Sequence, residues 1–498
     1  MSLKIVWAFW CAMINRPNIL MIMTDNQPAD MLGCYGNDEV LTPHIDQLAA
    51  TGTRFSNAFC VNAMCSPCRA SVLTGLMPSA HGVHTWLDDG IASEWPEDWN
   101  AIGEFATLPG QLKSAGYSTA LIGKYHLGQP WRAPANYDHW VTFPHGHTVS
   151  FHGNRMIENG RELVHEGHSV DFFADRTVDY LGSRRNEPDP FFCFVPFNGP
   201  YGHWPAIRGE SQTRFDEIYR DLPLHSIPRE GLNRRVIERY TQRVVEAGGT
   251  PHERFAGPLL LPNDTTSLRN YFAQTSLIDD AVGRIITALD ETGLAEYTII
   301  IYTADHGFSL GHHGIWGHGL AAWPSSMLRP SYHVPLVMAG PGIATADHDG
   351  LVSQIDIPNT LLHATGAAPI ETERHDSRVI ALDDPGRFVR DAIYIEQEES
   401  RAIRTADHLY IERFNGYGSP DLPSELFDLT DDPEERQDVV KKDANSAVLA
   451  DLSLRLSDYF ERHASPRFNL WSGGNAKSNV TNKMFWQTAW GAEWTTIT

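Results

Sequence analysis

Asn18-Ile19-Leu20-Met21-Ile22-Met23-Thr24, running straight into Asp25-Asn26-Gln27, is the stretch whose reading decides the fold. It is apolar without alternation, as a strand must be when both of its faces are buried in a parallel sheet. A second run of the same kind, Thr298-Ile299-Ile300-Ile301-Tyr302-Thr303, leads into Asp305-His306-Gly307. Just before it, residues Tyr271 to Thr292 carry helical periodicity, and Gly293 suits a helix stop. Helix followed by buried strand is the repeating unit of an α/β fold.

Working outward, further apolar strands are expected at Ser118–Ile122, Phe191–Val195 and Pro335–Met338. Helical and strand patterns alternate from about residue 17 to 370, which predicts an α/β fold with a large, mostly parallel sheet flanked by helices. From about Asp391 the pattern changes: Ala392–Ile395 and Leu409–Ile411 read as short strands, and Asn445 to Phe460 as a helix. The expected division is an N-terminal extension over 1–16, a catalytic α/β domain over 17–385 and a smaller C-terminal α+β subdomain over 386–498. Its Trp-rich tail (Trp471, Trp486, Trp490, Trp494) suits burial against the body or against a second subunit, which would make a homo-oligomer. A substrate-contacting tail is the sharper alternative.

With 498 residues, 42% of them hydrophobic, the chain can bury one large core. Its formal net charge of −23 opposes general binding to nucleic acid or anionic membranes, while leaving room for an anionic substrate in a local cationic pocket. Six cysteines are too few for a disulfide scaffold. Cys65 and Cys68 have the C-x-x-C spacing, but neither a thioredoxin-like setting nor a second pair of zinc ligands accompanies them. No run is long and apolar enough to span a membrane. The apolar residues after Lys4 are too short for a convincing secretion signal and lack a small-x-small cleavage site. An upstream extension with the natural start at Met13 accounts for them equally well, so the sequence does not choose between cytoplasm and periplasm.

Ligands of open parallel sheets bind beyond the carboxyl ends of strands. Asp25 and Asn26 follow one such end, and Asp305 and His306 another. Two carboxylates, an amide oxygen and an imidazole converging there suit Ca²⁺, Mn²⁺ or Mg²⁺, although each pair alone could be a helix cap or turn. In Cys65-Ser66-Pro67-Cys68-Arg69, Pro67 fits the first turn of a helix and places Cys65 at its N-terminus. Backbone N–H groups and Arg69 would make that position an anion site. A buried cysteine beside a helix cap is the plainer reading.

These residues resemble the type I sulfatase signature: Cys65-x-Pro67-x-Arg69, ending in Leu73-Thr74-Gly75. A second signature of that family is matched by Gly116-Tyr117-Ser118-Thr119-Ala120-Leu121-Ile122-Gly123-Lys124-Tyr125-His126. The Pro17-Asn18-Ile19 strand with Asp25, and Thr303-Ala304-Asp305-His306-Gly307, resemble its metal-site blocks. Glu425-Leu426-Phe427-Asp428-Leu429 with Asp432-Pro433-Glu434 resembles its C-terminal segment. The resemblance implies an alkaline-phosphatase-like sandwich and a sulfuric ester hydrolase. It implies that a formylglycine-generating enzyme converts Cys65 to formylglycine (3-oxoalanine), whose hydrate attacks sulfur with one hydroxyl and uses the second to eliminate sulfate. It further implies that Asp25, Asn26, Asp305 and His306 hold one divalent metal together with the modified Cys65, that Arg69 and Lys124 neutralise charge, and that His126 is the base for elimination. His203 would touch the sulfate or leaving group. The implied substrate is a small-molecule or carbohydrate sulfate ester.

Some positions depart from the family pattern. His318, in Gly314-Ile315-Trp316-Gly317-His318, stands where a lysine contacting the ester oxygen is usual, and its charge varies with pH as lysine's does not. Asn26 replaces a second aspartate and His306 a common asparagine, which leaves the metal between Ca²⁺ and Mn²⁺. A histidine at that second place also resembles the phosphonate monoester hydrolase and choline sulfatase branches, so a phosphonate or phosphodiester substrate is the alternative. A binder of sulfated ligands without catalysis is the third reading. The residues that read the alcohol are expected on variable loops at 88–102, 130–170 and 206–265.

Overall fold

The structure is a computed structural model that describes residues 16–87, 95–134, 136–146, 148–202, 209–246, 259–415, 422–477 and 480–497. A ten-stranded sheet organises the body. Its strands are β1 (Asn18–Thr24), β2 (Thr53–Phe59), β3 (Ser118–Ile122), β4 (His139–Thr142), β5 (Asn154–Glu158), β6 (Arg161–His165), β7 (Phe191–Pro196), β8 (Thr298–Ala304), β11 (Leu336–Ala339) and β12 (Ala346–Ser353). Between β8 and β11 lies a separate two-stranded ladder of β9 (Ser309–Leu310) and β10 (Trp316–Gly317). The spatial order of the large sheet is β12-β2-β11-β8-β1-β7-β3-β4-β5-β6. Its centre is parallel, with β1 flanked by β7 and β8. Only β11 and β5 run against the rest.

The burial of β1 shows why its sequence does not alternate. Ile19, Met21 and Met23 enter one core, while Leu20 and Ile22 enter another on the opposite face. Strand β8 does the same with Ile299 and Ile301 against Ile300 and Tyr302. Helix α1 (Cys65–Thr74) packs on the first face through Cys68, Val72 and Leu73. Helices α2 (Ser169–Arg184) and α3 (Thr265–Thr292) cover the second. Each fully buried large aliphatic side chain contributes about 1.5–3 kcal/mol, so a strand buried on both sides is worth twice a surface one.

The expected helix before β8 is six residues longer at its start, because Asp264 caps it by accepting from Ser267 N at 3.1 Å. Gly293 ends it in the left-handed conformation, as expected. The expected strands at 118, 191 and 335 are β3, β7 and β11, although β11 is antiparallel to its neighbours. The expected loop at 130–170 is partly sheet. Strands β4 to β6 extend the edge, and β5 and β6 carry few apolar residues because they pair at the periphery, where Arg155 and Glu162 form an exposed cross-strand ion pair.

The C-terminal part is a four-stranded antiparallel sheet, β13 (Ile393–Glu396), β14 (Ser400–Arg404), β15 (His408–Arg413) and β16 (Glu425–Asp428). Helix α4 (Ser446–His463) packs on it through Leu452, Leu456, Tyr459 and Phe460. The same cluster includes Val61, Met77 and Ile355, which weld this sheet to the body. The tail folds back on its own chain: Trp486 and Trp494 are buried with Phe414 and Leu470, and Trp471 and Trp490 pack against them. Among the described residues no helix is long and apolar enough to cross a membrane.

Candidate active site

Because β8, β1, β7 and β3 follow one another as parallel strands of one sheet, the residues just past the carboxyl ends of β8, β1 and β3 meet at one edge. Asp25 follows β1, Lys124 lies two residues beyond β3, and Asp305 follows β8. Helix α1 begins there with Cys65, and its first turn brings Arg69 alongside. One ligand atom from each of Asp25, Cys65, Asp305 and His306 lies within 4.8 Å of the others, and all four residues are buried.

The charges are interlocked. The Lys124 ammonium donates to Asp25 Oδ2, and Arg69 donates to Asp305 Oδ2 from Nη2 (2.8 Å) and Nε (3.1 Å). Arg69 also donates to the backbone carbonyl of Lys124. Burial alone would raise the Asp25 carboxyl, but Lys124 and Arg69 beside it hold it well below the ordinary carboxylate range. Against their own burial, Asp25 raises the Lys124 ammonium and Asp305 the Arg69 guanidinium. Asp25, Lys124 and Arg69 are therefore all held in their charged forms.

Cys65 Sγ lies 3.5 Å from His306 Nε2, 3.6 Å from Asp25 Oδ1 and 3.6 Å from Lys124 Nζ. Burial, and then the Asp25 carboxylate, push its thiol above the usual thiol range in spite of Lys124 and Arg69. The side chain is thus a neutral thiol at physiological pH and a poor nucleophile as cysteine. His306 Nδ1 donates to Gly307 O at 2.8 Å, which turns Nε2 toward the centre. Asn26 adopts a left-handed backbone with φ of 63°, a conformation that asparagine tolerates. Its amide nitrogen donates to Asp25 Oδ1, while its Oδ1 is buried without a hydrogen-bond partner.

The ring of His318 stands perpendicular to that of His306, with centroids 5.6 Å apart. His126, also at positive φ (58°), donates from Nε2 to Leu87 O at 3.0 Å, which makes Nδ1 its basic nitrogen. Gly146 backs this ring so closely that a Cβ there would fall 1.7 Å from His126 Cδ2. Gly146→Ala is expected to shift the imidazole by more than an ångström and lower kcat by about 100-fold, with a small change in melting temperature, since misplacing a catalytic group by that distance has such an effect. Steady-state rates and a thermal melt of the variant check it. His203 lies outside the described residues.

Sequence reading missed the groups that hold these ligands. Tyr271 donates its hydroxyl to Asn26 O at 2.6 Å, and Gln27 Oε1 accepts from Thr24 (2.7 Å) and Tyr302 (2.6 Å). Cys68 Sγ donates to Asp305 O and to Gln354 Oε1 (3.1 Å), so the second cysteine of the C-x-x-C pair braces a site residue. Tyr302 and Tyr271 could be read only as core or helix positions, because their partners lie 275 and 245 residues away in the chain, respectively. His81 bridges Ser71 Oγ (3.0 Å) and Val83 N (3.1 Å), and burial keeps it neutral.

Fold and site together define an α/β protein with a buried group of carboxylates, cations, a thiol and an imidazole at the carboxyl edge of its sheet. The Sulfatase family model matches residues 17–367, and the model for the N-sulphoglucosamine sulphohydrolase C-terminal region matches 321–462. The N-acetylglucosamine-6-O-sulfatase of Bacteroides thetaiotaomicron is 26% identical, over 86% of this chain and 83% of its own. The iduronate 2-sulfatase of Homo sapiens is 31% identical over 65% of this chain and 60% of its own. A protein solved in complex with its substrate D-glucosamine-2-N,6-O-disulfate superposes with a TM-score of 0.69 at 24% identity, covering 90% of this chain and 98% of that one. The phosphonate monoester hydrolase of Agrobacterium radiobacter gives 0.67 at 20% identity, over 90% and 96%. The chain belongs to the sulfatase family.

Proposed function

We propose that the protein hydrolyses the sulfate ester of a sugar to the free alcohol and inorganic sulfate, with a formylglycine made from Cys65 by a maturation enzyme and with one bound Ca²⁺ or Mn²⁺. The observation that carries the reading is Cys65 at the head of α1, buried among Asp25, Lys124, Asp305 and His306. Sulfuric ester hydrolysis itself follows from family membership. The sugar is supported by relatives whose names specify sulfated carbohydrates.

The residues present fit a divalent cation. Asp25, Asn26, Asp305 and His306 offer oxygen and imidazole donors, and the unpartnered Asn26 Oδ1 is a ligand atom that a cation would satisfy. When present, the cation polarises the sulfate oxygens and the hydrated aldehyde supplies the attacking hydroxyl and the one used for elimination. The remaining work belongs to side chains. Arg69 is clamped by Asp305 and the Lys124 carbonyl, so its guanidinium is fixed before the substrate arrives. Lys124, anchored on Asp25, keeps an ammonium within reach of the position of Cys65 Sγ. His126 accepts the proton of the elimination step at Nδ1. His318 donates to the departing alcohol oxygen.

The test compares sulfate release from sulfated hexoses and hexosamines with turnover of an aryl phosphonate monoester, on protein whose Cys65 peptide is shown by mass to carry the aldehyde. Faster sulfate ester cleavage, abolished by EDTA and restored by Ca²⁺ or Mn²⁺, is expected. A preference for the phosphonate would overturn the reading.

A further inference from the structure

The turn between β13 and β14 reads Glu396-Gln397-Glu398-Glu399, and all four side chains are buried. Such a run belongs on a surface unless each group has a partner. Glu396 does: it accepts from Ser79 N at 2.7 Å and pairs with Arg401 at 2.7 Å. Glu398 does as well, accepting from Thr481 and Asn482 through both oxygens. Gln397 and Glu399 differ. Glu399 Oε1 accepts from Ser325 N at 2.7 Å, but its Oε2 has no partner, and neither does Gln397 Oε1.

Gln397 reaches the segment that borders the catalytic centre, and Glu399 is tied to that same segment through Ser325, whose neighbour Ser326 donates from its backbone N to Gly319 O at 2.8 Å. Gln397 Nε2 is 2.9 Å from the place a Cβ on Gly319 would take, and Gly319 follows His318, whose ring abuts that of His306. Glu396 N donates to Val61 O at 2.8 Å and Asn62 Nδ2 to Glu396 O at 2.6 Å, which fixes the turn to the segment leading into Cys65. Asn62 Oδ1 and Ser325 Oγ, beside the turn, are likewise buried without partners. Low exposure does not separate this patch from the centre, since Lys124, Asp305 and His306 are as enclosed.

Four unpartnered oxygens beside a catalytic centre are costly unless something donates to them. Resting on the sulfate ester reading above, we propose that Gln397 and Glu399, with Asn62 and Ser325, form the face that reads the hydroxyl groups of the leaving sugar. The set suits an alcohol rich in hydroxyls: two neighbouring hydroxyls donate to the Glu399 carboxylate and the Gln397 amide oxygen, while Gln397 Nε2, also buried without a partner, and the Ser325 hydroxyl can donate back to a sugar oxygen, and an aryl or alkyl alcohol leaves them unpaired. The C-terminal sheet thereby supplies specificity to a centre built by the larger one.

The experiment measures kcat/KM of wild type, Gln397→Leu, Ser325→Ala and Glu399→Gln on the best of a panel of 2-O-, 3-O- and 6-O-sulfated hexoses and hexosamines, and on 4-nitrophenyl sulfate. Gln397→Leu is expected to lower the value for the sugar by about 30-fold, as loss of hydrogen bonds to a buried acceptor does, and that for the aryl ester by less than about threefold. Ser325→Ala, the mildest change, is expected to show the same selectivity with a smaller loss, and Glu399→Gln to fall between them. Equal losses on both substrates, or none on either, overturn the proposal, as does a wild type that cleaves the aryl sulfate and no sugar sulfate. A wild type that releases sulfate from none of them overturns the sulfate ester reading itself.

Discussion

Replacing Cys65 by serine is expected to turn a catalyst into a reagent that works once. Serine offers one hydroxyl at the position now held by Sγ, 3.6 Å from the Lys124 ammonium and 3.5 Å from His306 Nε2. That hydroxyl can attack sulfur and release the alcohol, but no second hydroxyl remains on the same carbon to expel sulfate. The expected result is a burst of alcohol no larger than one equivalent per site, with the protein gaining the mass of one sulfuryl group on the peptide holding residue 65. Cys65→Ala should give neither burst nor mass gain, with turnover down by at least about 10⁴-fold, as removal of a nucleophile does elsewhere. Intact-mass measurement and a stopped assay decide it. Sustained turnover by the serine variant would show that the second hydroxyl is not needed.

Asp25→Asn is expected to have the second-largest effect, on stability as well as on function. Asp25 is the buried partner of the Lys124 ammonium and lies 3.6 Å from Arg69. Neutralising it leaves two buried cations against the single carboxylate of Asp305, and loss of one member of a buried pair costs roughly 3–5 kcal/mol. Metal affinity should fall by at least about 100-fold, because the lost group is itself a candidate ligand, and even a group that only orients a ligand costs about 10–100-fold when it is removed. The two consequences separate experimentally. Denaturant unfolding in EDTA reads the first, and titration of activity with Ca²⁺ or Mn²⁺ reads the second. Full stability in EDTA with weakened metal dependence would mean that Lys124 and Arg69 find other partners when Asp25 is neutral.

The anchors of the site were legible in the chain because they sit on strong local signals. Asp25 and Asp305 end non-alternating apolar runs, and Cys65 and Arg69 share one helical turn opened by proline. Short-range patterning reports burial and strand ends faithfully, since both are set within a few residues. Residues that act by orienting these anchors carried no such signal. Tyr271 read as a helix position, and Glu399 carried no signal at all; each acquires its place only from a partner far away in sequence, Asn26 for the one and Ser325 for the other.

The sequence by itself determined the α/β class, the parallel centre of the sheet, the helix at Cys65 and the residues that converge on one edge. It did so because both strand burial and helix capping are local properties of residue order. Only the tertiary structure decided that β11 runs against its neighbours, that β4 to β6 extend the sheet edge, and that the Trp-rich tail folds back on its own chain. It alone brought the turn at Glu396–Glu399 from the C-terminal sheet to the shoulder of the catalytic centre. Those outcomes depend on which distant surfaces meet, and a hydrogen bond across 300 residues leaves no trace in the order of either segment.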